Sequence, residues 1–233
     1  MTENEFIKEL EKLNIVVSDT QTNQLKQYYE LLVMWNEKMN LTGITDKKEV
    51  YLKHFYDSLT ISKVIDLKKE KTLCDIGTGA GFPGLVLKII YPHLNITLVD
   101  ALNKRINFLN EVIKKLKLDK IETVHARIEE YGIKNRELFD VVVARAVAPL
   151  NVLLEYAIPV TKTNKYFIAM KGSTDELSIS QHALEELSTK TVENIKFLLP
   201  YEESSRTILK FQKLGNTSKK YPRKNVDIKK KPL

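Results

Sequence analysis

The first third of the chain is patterned for helices. Leu25, Tyr28, Tyr29, Leu32, Trp35 and Met39 recur at three- and four-residue intervals and predict one long helix over 22–40 with a single apolar face. Tyr51, Phe55, Leu59 and Ser62 fall on neighbouring turns of a second helix over 48–65. At Thr72 the pattern changes. Short apolar runs at 72–76, 96–99, 121–125, 140–144 and 166–170 read as buried strands, with helices predicted at 84–91, 104–118, 150–158 and 176–188 between and after them. Alternating strands and helices imply a mainly parallel sheet covered on both faces, an α/β doubly wound arrangement. The segments 192–199 and 206–213 alternate apolar and polar residues, as a terminal antiparallel hairpin would. The chain therefore divides into a helical extension (1–66), a sheet domain (67–214) and a tail (215–233).

The tail is set apart by charge. Of a net charge of +7, the stretch from Lys219 onward holds +6: seven bases, among them Arg223 and Lys224, stand against Asp227 alone. A concentrated basic arm suits a polyanion, whose condensed counterions are released as its phosphates are neutralised. A disordered, solubilising end is the alternative. One cysteine, Cys74, excludes an internal disulfide and a cysteine-built zinc site, and the four histidines are scattered without ligand spacing, so no metal is expected. No apolar run approaches the roughly 20 residues that span a bilayer. The first residues are acidic where a secretory leader would be basic and then apolar. A cytoplasmic, membrane-free protein is expected, with a monomer as the default.

The strongest chemical signal is the glycine turn Asp75-Ile-Gly-Thr-Gly-Ala-Gly-Phe-Pro-Gly84 between the first strand and its helix. Ligands of open α/β sheets bind at such a carboxyl edge. The dinucleotide fingerprint needs glycine at the sixth position, to seat a pyrophosphate on the helix N-terminus. Counting from Gly77, that position is Phe82, too bulky for it. Gly77-x-Gly79-x-Gly81 resembles instead the first motif of class I (Rossmann-like) methyltransferases, whose donor, S-adenosyl-L-methionine, has no phosphates. Asp100, closing the second strand about 20 residues on, can accept both ribose hydroxyls, or cap the helix that follows. After the third strand, Arg127-Ile-Glu-Glu130 stands where adenine would lie; Glu129 can accept from its amino group, and Glu130 is the competing choice. Asp75 either tethers the turn or faces the methionine end of the donor.

Methyl transfer is an in-line displacement, in which positioning supplies much of the acceleration. Carbon-5 of a pyrimidine needs a cysteine nucleophile, and Cys74 lies inside a strand. Exocyclic amines are held by an Asn/Asp-Pro-Pro-aromatic turn after the fourth strand, where this chain reads Ala144-Arg-Ala-Val-Ala-Pro149. A ring nitrogen with a free lone pair, such as guanine N7, needs neither nucleophile nor base. Arg145, at the edge of the fourth strand, is the candidate for cofactor or substrate contact, with a structural arginine as the alternative. Lys171, after the fifth strand, meets an RNA phosphate or caps a loop. No catalytic residue is assigned. A ribose 2′-O-methyltransferase using Lys171, an RNA-binding protein with a relic pocket and, less readily, a nicotinamide oxidoreductase are the competing readings.

Several blocks taken together resemble one family. Trp35-Asn36 with Asn40-Leu-Thr-Gly-Ile44, His54-Phe-Tyr-Asp-Ser-Leu59, Asp75 to Gly84, Leu98-Val-Asp100 with Lys104-Arg105, Ala144-Arg-Ala146 and Tyr221-Pro-Arg-Lys224 occur in order from the front helices to the tail. The chain resembles the bacterial small-subunit rRNA guanine-N7 methyltransferase G family, also called glucose-inhibited division protein B. The resemblance implies methylation of a guanine N7 of 16S rRNA near the decoding centre, S-adenosyl-L-methionine as donor, and 16S rRNA or the small ribosomal subunit as partner. It also implies cofactor contacts at Gly77, Phe82, Ile128, Glu129 and Arg145. Two departures are visible: Ile128 stands where the family often has alanine, and Asn225-Val-Asp-Ile228 replaces a proline- and glycine-containing pattern.

Overall fold

The computed structural model describes residues 1–172 and 176–233. Its first helix, α1 (Glu3–Glu11), opens on a reciprocal cap between Thr2 and Glu5, and α2 (Asp19–Met39) on the same device between Ser18 and Gln21. The left-handed Asn40 (φ 48°) ends α2. A single helical run, 47–63, follows: α3 (Lys47–Glu49), a wide-turned stretch Val50–Tyr56, α4 (Asp57–Leu59) and a tight turn Thr60–Lys63. The hydroxyls of Ser58, Thr60 and Ser62 donate to carbonyls three or four residues back, competing with the regular ladder there.

The sheet contains β1 (Thr72–Ile76), β2 (Asn95–Asp100), β3 (Ile121–His125), β4 (Phe139–Arg145), β5 (Thr161–Lys171), β6 (Thr189–Leu198) and β7 (Ser205–Lys213) in the order β3-β2-β1-β4-β5-β7-β6. β1 to β5 run parallel, while β7 pairs antiparallel with both β5 and β6. The chain thus has the doubly wound, mainly parallel sheet and terminal hairpin expected of it. β5 is longer than its apolar run: Thr161 pairs with Phe139, the mostly half-buried residues 162–165 fall at a register shift against β4, and pairing resumes at Tyr166.

Side-chain alternation divides the core between the two faces. Leu73, Val141 and Val143 join the cluster under α2, α5 (Gly84–Ile90) and α6 (Asn103–Lys115). Cys74, Ile76, Val142 and Ala144 join the cluster under α7 (Ile128–Lys134), α8 (Leu150–Ala157), α9 (Gln181–Glu186) and α10 (Asn225–Lys230). The front helices are therefore part of one face of the sheet. Helix α9 is shorter than the 176–188 segment predicted, and the apolar pattern at 128–134 was too brief to announce α7.

The tail is folded. Tyr221 and Ile228 are buried in the second cluster, and Arg136 donates to the carbonyls of Thr217 and Tyr221 at 2.6 and 2.5 Å. Among the described residues, no helix is long and apolar enough to cross a membrane.

Candidate functional site: a cleft at the carboxyl edge of β1, β2 and β4

The sheet order reverses direction between β1 and β4, and a crevice forms where connections leave toward opposite faces. The glycine turn leaves β1 at that point. Gly77 (φ +67°) and Gly79 (φ +62°) hold left-handed backbone that other residues adopt with strain. A Cβ on Gly77 would lie 2.7 Å from Val147, whereas one on Gly79 would meet nothing closer than 4.0 Å. Gly77 admits close packing of the turn, and the open side of Gly79 faces the cleft.

Asp75 is the tether of this turn. One oxygen, Oδ2, accepts from Thr78 Oγ1 at 2.6 Å and from the Gly84 N–H at 2.8 Å, at the start of α5. Burial pushes its pKa up to about 6, against the pull of those hydrogen bonds. Phe82 packs its ring on Tyr28 (5.5 Å between centroids) and His54 (4.4 Å), and the Arg145 guanidinium lies 5.2 Å above it. The sixth position of the turn is thereby filled.

Asp100, buried at the end of β2, accepts from the Gly79 N–H and the Leu102 N–H, both at 2.9 Å, and from Arg105 Nη1 at 3.1 Å. It braces the glycine turn and the approach to the following helix while lining the cleft, but that helix has Leu102 as its N-cap and no side-chain cap, so the capping alternative is not what the structure shows. At the opening of α7, Ile128 and Glu129 are buried and line the cleft, while Glu130 is exposed and does not. Among the described residues, no hydrogen-bond donor reaches the Glu129 carboxylate. The cleft has a volume of about 710 Å³.

Arg145 closes β4 and stands in the wall between this cleft and a second recess of about 340 Å³. Its Nη1 donates to the Lys53 carbonyl at 2.9 Å and to Asp57 Oδ2 at 3.1 Å, and Nη2 lies 3.3 Å from His54 Nδ1. Thr42 Oγ1 is 2.9 Å from the other ring nitrogen of His54. Burial and the Arg145 charge push the His54 pKa down to about 3, so the ring is neutral. The recess also receives Arg206, from β7, and Lys171.

Two further RNA-contact candidates are, like Arg145, engaged within the protein. Lys171 donates to the Ala148 carbonyl at 2.6 Å and pairs with Glu176 at 2.9 Å, the loop-capping alternative. Arg223 donates from its backbone and guanidinium to Glu155, a fully buried carboxylate, at 2.6–2.9 Å. A buried anion demands such a partner, and Arg223 is committed to it. Lys224 is exposed. The tail reaches the cleft through other residues, Asn225, Lys229 and Pro232.

Sequence reasoning assigned no role to His54, Asp57 or Arg206. The first two stand in a block singled out by resemblance, but nothing in their spacing shows that the 47–63 run crosses the edge of β4. Arg206 carried no local signal. Among the described residues, no cluster of His, Cys, Asp or Glu could hold a metal ion.

Known proteins resemble this chain in sequence and in fold. A relative from Lysinibacillus sphaericus, ribosomal RNA small subunit methyltransferase G, is 50% identical over the whole of both chains. One from Bacillus cereus with the same name is 49% identical over 98% of each. Among solved structures, a SAM-dependent methyltransferase from Aquifex aeolicus superposes with a TM-score of 0.57 at 16% identity, over 74% of this chain and 96% of that one. A 16S rRNA adenine-N1 methyltransferase from Catenulisporales acidiphilia, solved with SAM, gives 0.54 at 16% identity, over 65% and 88%. These two establish likeness of fold. The family described as GidB, rRNA small subunit methyltransferase G, matches residues 21–207. With its glycine turn, its two cleft carboxylates and this match over most of its length, the chain belongs to the rRNA small subunit methyltransferase G family.

Proposed function

We infer that this protein transfers the methyl group of S-adenosyl-L-methionine to N7 of a guanine in 16S rRNA, near the decoding centre. The observation that carries the choice of acceptor is the make-up of the recess beside the donor cleft. Its lysines, Lys53 and Lys171, are bound into ion pairs with Glu49 and Glu176. Cys74 is fully buried within β1 and lines neither cavity, and the segment after β4 has no Pro-Pro turn. Such a wall offers no thiol nucleophile and no uncommitted lysine base, and N7 requires neither.

The cleft residues fit the donor. Gly79 leaves room where a Cβ would project, Asp100 and Glu129 present buried carboxylates to a hydroxyl pair and an amino group, and Phe82 removes the seat of a pyrophosphate. A volume of about 710 Å³ lies within the usual range for small-molecule sites. When bound, the sulfonium supplies an electrophilic methyl carbon. The chain's own residues hold the reactants in line. Asp75 and Tyr28 fix the turn, Asp100 grips the sugar, Glu129 with the buried Ile128 selects adenine, and Arg145 meets the acceptor. Neutral His54 adds no positive charge opposite a base that is becoming cationic.

The three regions divide the work in this reading. Residues 1–66 shape the acceptor side, 67–214 hold the donor, and 215–233 close the cleft while Lys224 and the exposed Lys229, Lys230 and Lys231 meet RNA phosphates. The cleft is complete within one chain, which suits a monomer acting in the cytoplasm. Mass spectrometry of nucleosides from rRNA treated with protein and donor tests the acceptor: 7-methylguanosine supports the reading, and a methyl on ribose overturns it in favour of the 2′-O alternative.

A further inference from the structure

Asp57 occupies a position that donor binding does not explain. It lies 4% exposed in the middle of the 47–63 run, and it bridges two guanidiniums. Its Oδ2 is 3.1 Å from Arg145 Nη1, and its Oδ1 is 3.1 Å from Arg206 Nε. The partners are 88 and 149 residues away in sequence and come from β4 and β7. Both line the second recess, as Asp57 itself does. The lysines there have their own acidic partners: Lys53 has Glu49 and Glu202, and Lys171 has Glu176. Asp57 is therefore the carboxylate that sets the charge contributed by the two arginines, leaving one positive charge where there would be two.

The chemistry makes that count matter. In N7 methylation the guanine lone pair forms the new N–C bond as the S–C bond breaks and its electron pair returns to sulfur. No proton moves and nothing is oxidised. The sulfonium becomes a neutral thioether, and the purine becomes cationic. One positive charge thus travels from the donor cleft toward the recess. Arginines suit guanine and phosphate oxygens as donors, yet two uncompensated guanidiniums would oppose that arriving charge, and the repulsion grows as a bound nucleotide displaces water from between them.

We propose that Asp57 is a positioning residue for the acceptor: it holds Arg145 and Arg206 at the recess as hydrogen-bond donors and cancels one of their charges, so that they grip the nucleotide without resisting its change to a cation. The proposal rests on the N7 reading above.

The variants D57N, R206Q and D57N/R206Q test it in the full chain, with donor affinity by calorimetry, affinity for unmodified small subunits, and the single-turnover rate of the bound complex. D57N keeps donor affinity within about twofold and subunit affinity at or above the wild-type level, while its bound-complex rate falls about tenfold or more. Removing the second arginine relieves the excess charge, so the double variant is faster than D57N by about threefold or more, a coupling typical of contacting residues. A brace of the fold without an electrostatic role predicts the reverse: parallel losses of both affinities and melting temperature, and a double variant no faster than D57N. Either result, or an unchanged D57N rate, overturns the proposal. If D57N does not fold, R206Q decides: weaker subunit binding, with the bound-complex rate reduced by less than the affinity, supports it, and wild-type subunit affinity overturns it. Wild-type product identity is read separately. A wild-type methyl found away from N7 defeats the functional reading, whereas 7-methylguanosine made at an unchanged rate by D57N defeats this inference alone.

Discussion

Tyr28 in α2 donates its phenolic hydrogen to the carbonyl of Ala80, inside the glycine turn. The ring is fully buried, stacks on Phe55 and Phe82, and lies tilted against Phe108. A residue of the helical extension thus holds the loop proposed to carry the donor, although the sequence separates the two by 52 positions.

Tyr28→Phe keeps the ring and strands the Ala80 carbonyl. The expected cost is about 1 kcal/mol of stability, together with a measurable weakening of donor binding as the turn loosens. Thermal melting and calorimetry check both. A loss of stability with wild-type donor affinity would show that the turn keeps its shape without this bond.

Asp100→Ala removes an acceptor shared by the Gly79 N–H, the Leu102 N–H and Arg105. Donor affinity should fall by about 1–3 kcal/mol, the range for buried polar groups left unmatched. Titration with S-adenosylhomocysteine measures it, and wild-type affinity in the variant would remove Asp100 from the site.

Deleting residues 219–233 looks, from charge alone, like a change to RNA affinity. The structure alters that expectation. The deletion would leave the buried Glu155 carboxylate without Arg223, and it would remove three residues that line the cleft. Arg223→Ala alone should cost about 3 kcal/mol, the lower end for breaking a buried ion pair, since Arg223 is partly exposed. Lys224→Ala should leave melting unchanged and reduce the salt dependence of RNA binding. Equal stability losses in the two variants would contradict this division of roles.

Asp75 yields a pH signature. Its folded pKa of about 6 lies above the value near 3.9 of an unfolded aspartate. The folded chain therefore binds this proton more tightly, and the residue's contribution to stability is largest below about pH 4 and is lost as pH rises through about 6. In Asp75→Asn the amide oxygen can accept from both Thr78 and Gly84 without a charge to bury. The variant's melting temperature should gain on the wild type by roughly a few degrees between about pH 4 and pH 7. Scanning calorimetry at the two pH values checks this, and a gap that does not change with pH would contradict it.

The sheet was legible because strands buried on both faces leave short apolar runs: Val141 to Ala144 is unbroken, and Leu73 to Ile76 is broken only by Asp75. The glycine turn and Asp100 were legible because their backbone demands are local. That Glu129 is buried and Glu130 exposed was not legible, since α7 is too short to show a period. Arg223 read as part of a basic arm because its partner, Glu155, lies 68 positions earlier on a different helix. Asp57 and Arg206 were silent for the same reason: their meaning is a contact between the helical extension and the terminal hairpin, and charge pairs across such distances leave no trace in spacing.

The proposed function depends on one bend of backbone at the end of β1 and the two carboxylates that face it. Determining the structure of the protein with S-adenosyl-L-methionine tests this most directly. The expected result is the ribose hydroxyls on Asp100, the adenine amino group at Glu129 and the methionine end along Gly77 to Gly79. An adenosyl group lodged elsewhere, or a turn that stays empty at saturating donor, would contradict it.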